Sequence, residues 1–177
     1  MKKCTIDPDH SVATFAIRHL GIAHVRGMFN KLSGCVYYDA ADISRSTVEA
    51  EIDVTSLSTG IKKRDDHVLS DEMLDAARYP TITFKSTKVI PAAGGKVKVQ
   101  GELTIHGVTK PAVLEVEYFG PVKSPFGGEV SLGFTARTMV NRKDFGVNWG
   151  DDVLDTGGLV AGKEVEITLD VEADLEQ

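Results

Sequence analysis

The chain has 177 residues, 42% of them hydrophobic, which is enough for one domain with a sizeable core. Its 20 Lys and Arg against 26 Asp and Glu give a formal charge of −6, which argues against broad attraction to nucleic-acid backbones or anionic membrane surfaces. The 2 cysteines, Cys4 and Cys35, are too few for a disulfide-stapled scaffold and are expected to remain thiols.

The opening MKKCTIDPDHSVATF lacks an apolar run long enough for a signal-peptide core, and no later segment has the length and hydropathy of a membrane span. With Met1 as the native start, cytoplasmic residence is expected. Strands are predicted over 12–19 and 25–39. The cleanest alternation follows at 47–55, where Val48, Ala50, Ile52 and Val54 interleave with Thr47, Glu49, Glu51, Asp53 and Thr55, a half-buried strand.

The strand pattern then breaks over about 59–79. Thr59 is predicted to cap one short helix, with Ile61, Val68 and Leu69 near one face. Ser70 is predicted to cap a second, in which Asp71 and Glu72 favour the positive end of the helix dipole and Met73, Leu74 and Ala77 face inward. Pro80 stops that helix from entering the next strand, predicted over 81–90. Alternation resumes with Val97, Val99, Leu103 and Ile105 against Lys96, Lys98, Gln100, Glu102 and Thr104, then over 112–119 and 129–140. It ends with Val165, Ile167, Leu169 and Val171 against Glu164, Glu166, Thr168 and Asp170.

Glycine-rich turns at Ala93-Gly94-Gly95 and Pro125-Phe126-Gly127-Gly128 separate strands at hairpin distance, so neighbours should be antiparallel. Eight strands with one charged face can close into a barrel, which removes exposed edges, or pack as a sandwich, and periodicity alone leaves both open. It also favours a solid interior, since small barrels are usually filled by side chains.

The polar groups narrow the chemistry. Five histidines match no standard metal-ligand spacing, so no metal is expected. Gly-x-Ser-x-Gly, a supported reactive cysteine and a phosphate-cradling glycine loop are all missing from the sequence. Arg64, Asp65, Asp66 and His67 form a dense cluster that reads first as a solvated, salt-bridged helix end and second as a site for orienting a ligand or for acid–base work. Arg142, Lys143 and Asp144 pose the same choice.

Six segments together resemble the YceI-like polyisoprenoid-binding family. They are Asp9-His10-Ser11 leading into TFAIRHLG, Gly27-Met28-Phe29, TGIKKRDDHVLSDEMLDAARYPTITFKST from Thr59, GELTIHGVTKP from Gly101, RKDFG from Arg142, and GKEVEITLDVEA from Gly162. The resemblance extends over nearly the whole chain. It implies an all-β fold, a single antiparallel eight-stranded lipocalin-like barrel with a short helical insertion, hollow enough to enclose a polyisoprenoid such as a prenyl phosphate or an isoprenoid quinone. Non-catalytic binding, transport or storage is then the expected function. The alternatives are an enzyme of this architecture acting on an apolar substrate, with Arg64, Asp65 and His67 at its mouth, and a stress-related protein with a solid core.

On that resemblance the apolar lining is assigned to Phe15, Ile17, Phe29, Met73, Ile82, Phe84, Leu103, Ile105, Leu132, Phe134 and Phe145, and the head-group contacts to His19, Arg64, His67 and Arg142. No cofactor beyond the bound lipid is expected, no nucleic acid and no stable membrane insertion. Family members often pair, so a homodimer is expected. Many also carry an export signal, and a start trimmed of one would mean periplasmic residence.

Overall fold

The computed structural model describes residues 1–176. Its strands are β1 (Lys2–Ile6), β2 (Val12–His19), β3 (Ala23–Phe29), β4 (Leu32–Tyr38), β5 (Thr47–Asp53), β6 (Leu57–Ser58), β7 (Thr81–Pro91), β8 (Lys96–Ile105), β9 (Val108–Lys123), β10 (Val130–Asn141) and β11 (Ala161–Leu175). One helix, α1 (Lys62–Leu69), accompanies them.

These strands make eight staves of a closed antiparallel barrel. β1 and β2 form a single stave, broken at a short turn where Asp7 accepts from the Asp9 N–H at 2.8 Å. Both halves pair with β11, Cys4 opposite Leu175 and Phe15 opposite Ile167. β3 and β4 form the second stave in the same way, β3 on β2 and β4 on β1. The ring then runs through β5, β7, β8, β9, β10 and β11. Since β11 returns to the first stave, the ring of strands is closed, which removes the two free edges of an open sheet.

The eight predicted strands are all present, with three differences, the first that the 25–39 strand is broken between Phe29 and Leu32 into β3 and β4. Lys2–Ile6 joins the ring although nothing in the pattern distinguished it. The 47–55 strand ends at Asp53, because the Asp53 carboxylate accepts from the Thr55 N–H and hydroxyl and turns the backbone away.

The insertion leaves and re-enters the wall at one point, where the Val54 N–H donates to the Pro80 carbonyl at 2.9 Å. Only one of the two predicted helices forms. Ser70 ends α1, its N–H bonded to the His67 carbonyl, and the chain beyond it runs in turns through Asp75, whose φ of 46° no helix accommodates. Those turns bury Ala76 and leave the predicted inward residue Ala77 exposed. Thr59 also caps no helix. It donates instead to the Asp65 carboxylate through its N–H at 2.8 Å and its hydroxyl at 2.5 Å, folding the entry to α1 back on itself.

Candidate functional site

Alternation sets one face of every stave inward, and in a filled barrel such residues would be buried along the whole stave. They are not. Along β11 the inward series Val165, Ile167, Leu169 and Val171 is half-buried, and only Ala173, at 0% exposure, is fully enclosed. Phe15 and Ile17 of β2 and Val48, Ala50 and Ile52 of β5 are half-buried in the same way. Each sits in a stave that is hydrogen-bonded on both sides, so the surface it keeps faces the interior. The barrel is hollow there, with a cavity of about 440 Å³ and a wall that is almost wholly apolar. That volume lies within the roughly 300–1,000 Å³ of ordinary ligand pockets.

The cavity separates two packed walls. One is built from Phe84, Val89, Val97, Val99, Leu103, Leu114 and Val116; the other from Ile6, Ala13, Phe29, Leu32, Val54 and Leu57. At one end Cys4, Val36, Leu132 and Ala173 interlock, and Ile43 of the β4–β5 connection packs against the first wall. Burial raises the pKa of the Cys4 thiol there, which makes it an inert apolar filler. Cys35, across the register from Thr5, is only partly buried, and both thiols are free.

The opposite end carries the insertion, the β2–β3 turn, the β8–β9 turn and the long connection from Arg142 to Val160. His106 and Gly107, with φ of 51° and 72°, make the two-residue β8–β9 turn and anchor two of these pieces together. The His106 ring lies edge-on to Tyr79 of the insertion at 4.7 Å, and its Nδ1 lies 3.1 Å from the Phe145 carbonyl. A Cβ at Gly107 would collide with the Tyr79 ring, so glycine is needed for that close approach as well as for its backbone. α1 then reaches across the opening, and the His67 ring meets Trp149 edge to face at 4.8 Å. His67 Nε2 is also 2.8 Å from the Glu72 carboxylate.

Of the predicted lining residues, Phe15, Ile17, Phe29, Met73, Ile82, Phe84, Leu103, Ile105, Phe134 and Phe145 all border the cavity. Leu132 does not. It shares the inward face of β10 with Phe134 but sits at the plugged end, 2% exposed, against Cys4, Val36 and Ala173.

His19, Arg64, His67 and Arg142 all reach the cavity boundary, with different freedom. Arg142 is not a free cation. Four of its five N–H groups are spent on the carbonyls of Val147, Ala161 and Gly162 and on the Asp151 carboxylate, at 2.7–2.9 Å. It is a buried clasp that folds the Arg142–Val160 connection onto β11. Arg64 gives Nε to the Thr59 hydroxyl and one Nη2 hydrogen to its carbonyl, and keeps the rest of its fork. His24 is exposed on the outer face, and His10 lies on the outer wall, its Nδ1 2.6 Å from Asp7 and its ring near Glu172. The five imidazoles therefore do not converge.

The pattern also missed part of the wall. Trp149, Val68 and Thr138 border the cavity, and Trp149 comes from a connection with no periodicity to read.

A closed eight-stave barrel with a lidded apolar hollow belongs to the class of hollow antiparallel β-barrels. Residues 4–173 match the family model of the YceI-like domain, and the chain belongs to that family. A UPF0312 protein of Vibrio cholerae serotype O1 (strain M66-2) is 41% identical over 138 residues, 78% of this chain and 72% of the relative. Among solved structures, Burkholderia cenocepacia BcnA superposes with a TM-score of 0.82 at 27% identity, covering 94% of this chain and 98% of that one. A Saccharophagus degradans domain described as polyisoprenoid-binding shares the fold, with a TM-score of 0.71 at 18% identity over 99% of this chain and 100% of its own.

Proposed function

We propose that this protein is a non-catalytic carrier that encloses the tail of a long polyisoprenoid, a prenyl phosphate or an isoprenoid quinone, with the head group held at the lidded end. The observation that carries this reading is the half-buried inward face of β2, β5 and β11, which leaves an apolar hollow where a packed core would stand. An apolar space of this size favours hydrocarbon over water. The fold shared with a domain described as polyisoprenoid-binding supports the same reading.

Burial of one five-carbon isoprene unit gains about 4 kcal/mol gross, so a few units already supply most of the ~20 kcal/mol at which non-covalent affinity saturates. Ligand held this tightly leaves slowly, which suits transport or storage. At the lidded end, the open part of the Arg64 fork and the His19 ring meet a phosphate or a quinone carbonyl. Native mass spectrometry of gently purified protein tests the proposal: a retained prenyl lipid is expected. Empty protein that also fails to take up an added prenyl phosphate or quinone overturns it. Pairing of two copies belongs to the same proposal, and a monomer's mass by light scattering would remove it.

A further inference from the structure

The charge of this chain is unevenly placed. Residues 11–38 contain no Asp or Glu, yet they include Arg18, Arg26 and Lys31 in a chain whose acids outnumber its bases. This segment spans β2, β3 and β4, and the tip of its β2–β3 hairpin lies at the lidded end of the cavity. At that tip Leu20 and Ile22 point into solvent, Ile22 at 82% exposure. Beside it, Thr59 packs against β3 at Gly27, and two residues later Ile61 stands 53% exposed, followed directly by Lys62, Lys63 and Arg64. Among the described residues, Arg18, Arg26 and Lys63 are in no ion pair.

We propose that these two tips dock the open end of the barrel on an anionic phospholipid bilayer, Leu20, Ile22 and Ile61 entering the acyl boundary while Arg18, Arg26 and Lys63 meet phosphates. The proposal rests on the carrier reading, because it gives an apolar ligand a water-free route between cavity and membrane. A bilayer fits better than a protein surface. The apolar groups are a few side chains on two separate protrusions, which a fluid interface accepts and a rigid partner would have to match pocket by pocket, and cations stand close to each protrusion in the chain, Arg18 before the β2–β3 turn and Lys62 to Arg64 after Ile61. The proposed contact is peripheral, made by three side chains of two loops. The Arg142–Val160 connection stays outside it, since Asp152 and Asp155 flank its exposed Val153.

The test is co-sedimentation with phosphatidylcholine vesicles, with and without phosphatidylglycerol, alongside retention of a detergent-dispersed prenyl lipid measured without vesicles. The intact protein should bind the anionic vesicles and be released by salt. The Ile22→Asp/Ile61→Asp variant should bind them about tenfold or more weakly and still retain the lipid, since neither residue borders the cavity. Phe126→Asp, at a 97% exposed residue of the β9–β10 loop at the plugged end, should change nothing. Intact protein that retains lipid but ignores both vesicle types overturns docking and leaves the carrier standing. Equal loss from Phe126→Asp also overturns it, because the wrong end would be in contact. Protein that binds anionic vesicles but retains no lipid upholds docking and overturns the carrier.

Discussion

Ala50→Phe separates a hollow barrel from a filled one. Ala50 lies on the inward face of β5, in register with Gly34 of β4 and Phe84 of β7, and is half-buried because its free side meets the cavity. In a filled barrel the added ring would overpack the core, at about 1–3 kcal/mol. For a protein of this size that lowers Tm by roughly 3–10 °C. In the hollow the ring enters empty space beside Phe84, and burial of its surface offsets any local strain. The ligand-free variant should therefore melt within about 2 °C of the parent, or higher. The same ring takes the place of roughly seven ligand carbons, about 5 kcal/mol, so prenyl-lipid affinity should fall by about a thousandfold or more. Calorimetry of lipid-free protein and native mass spectrometry after lipid incubation read the two effects. A Tm lowered by more than about 5 °C with lipid retention unchanged would refute the reasoning.

Further outcomes follow from the lidded end and the outer wall. Trp149 is the only tryptophan in the chain and borders the cavity, so loading with a prenyl lipid should shift its emission to the blue; emission unchanged by a saturating lipid contradicts that placement. Arg142→Met strips three carbonyls of their donor, leaving Asp151 only Lys143, and should cost about 3 kcal/mol or more in urea unfolding, whereas a loss under about 1 kcal/mol means the clasp contributes little. Arg142→Lys should not restore it, for want of a planar fork. The hydrogen bond from the His10 side chain holds the Asp7 pKa below its ordinary value, and the same bond raises that of His10. Asp7 therefore adds stability above the ordinary carboxylate range, lost as pH falls through its depressed pKa, and His10 adds stability below the ordinary imidazole range, lost as pH rises through its raised pKa. The stability of the parent over Asp7→Asn should be greatest between those limits, and a pH-independent difference contradicts the pairing.

Much of the barrel is legible in the sequence because a charged outer face forces strict alternation, and β5, β8 and β11 carry it almost without error. Lys2–Ile6 escapes because it is short and ends at Asp7-Pro8, and it becomes a strand only through partners near residues 36 and 175. The second helix fails for a tertiary reason: the insertion fills a gap in the wall, and burying Ala76 there outweighs the weak helical signal around Met73. Inward-facing residues were identifiable from period two, yet the period cannot tell Phe134 beside a hollow from Leu132 in a plug, since both lie on one face of one strand. Nor can it show that the Arg142 charge is already spent, because its partners lie up to 20 residues away, in an irregular connection and at the start of β11. Trp149 came from that same connection, where no signal marked it.

The most direct test of the hollow is a crystal structure of the protein purified without delipidation, or soaked with a prenyl phosphate. Continuous density should run between Phe15, Ile82 and Phe134 and end in a head group beside Arg64. An interior closed by side chains in mutual contact, with no ligand after soaking, would contradict the central claim.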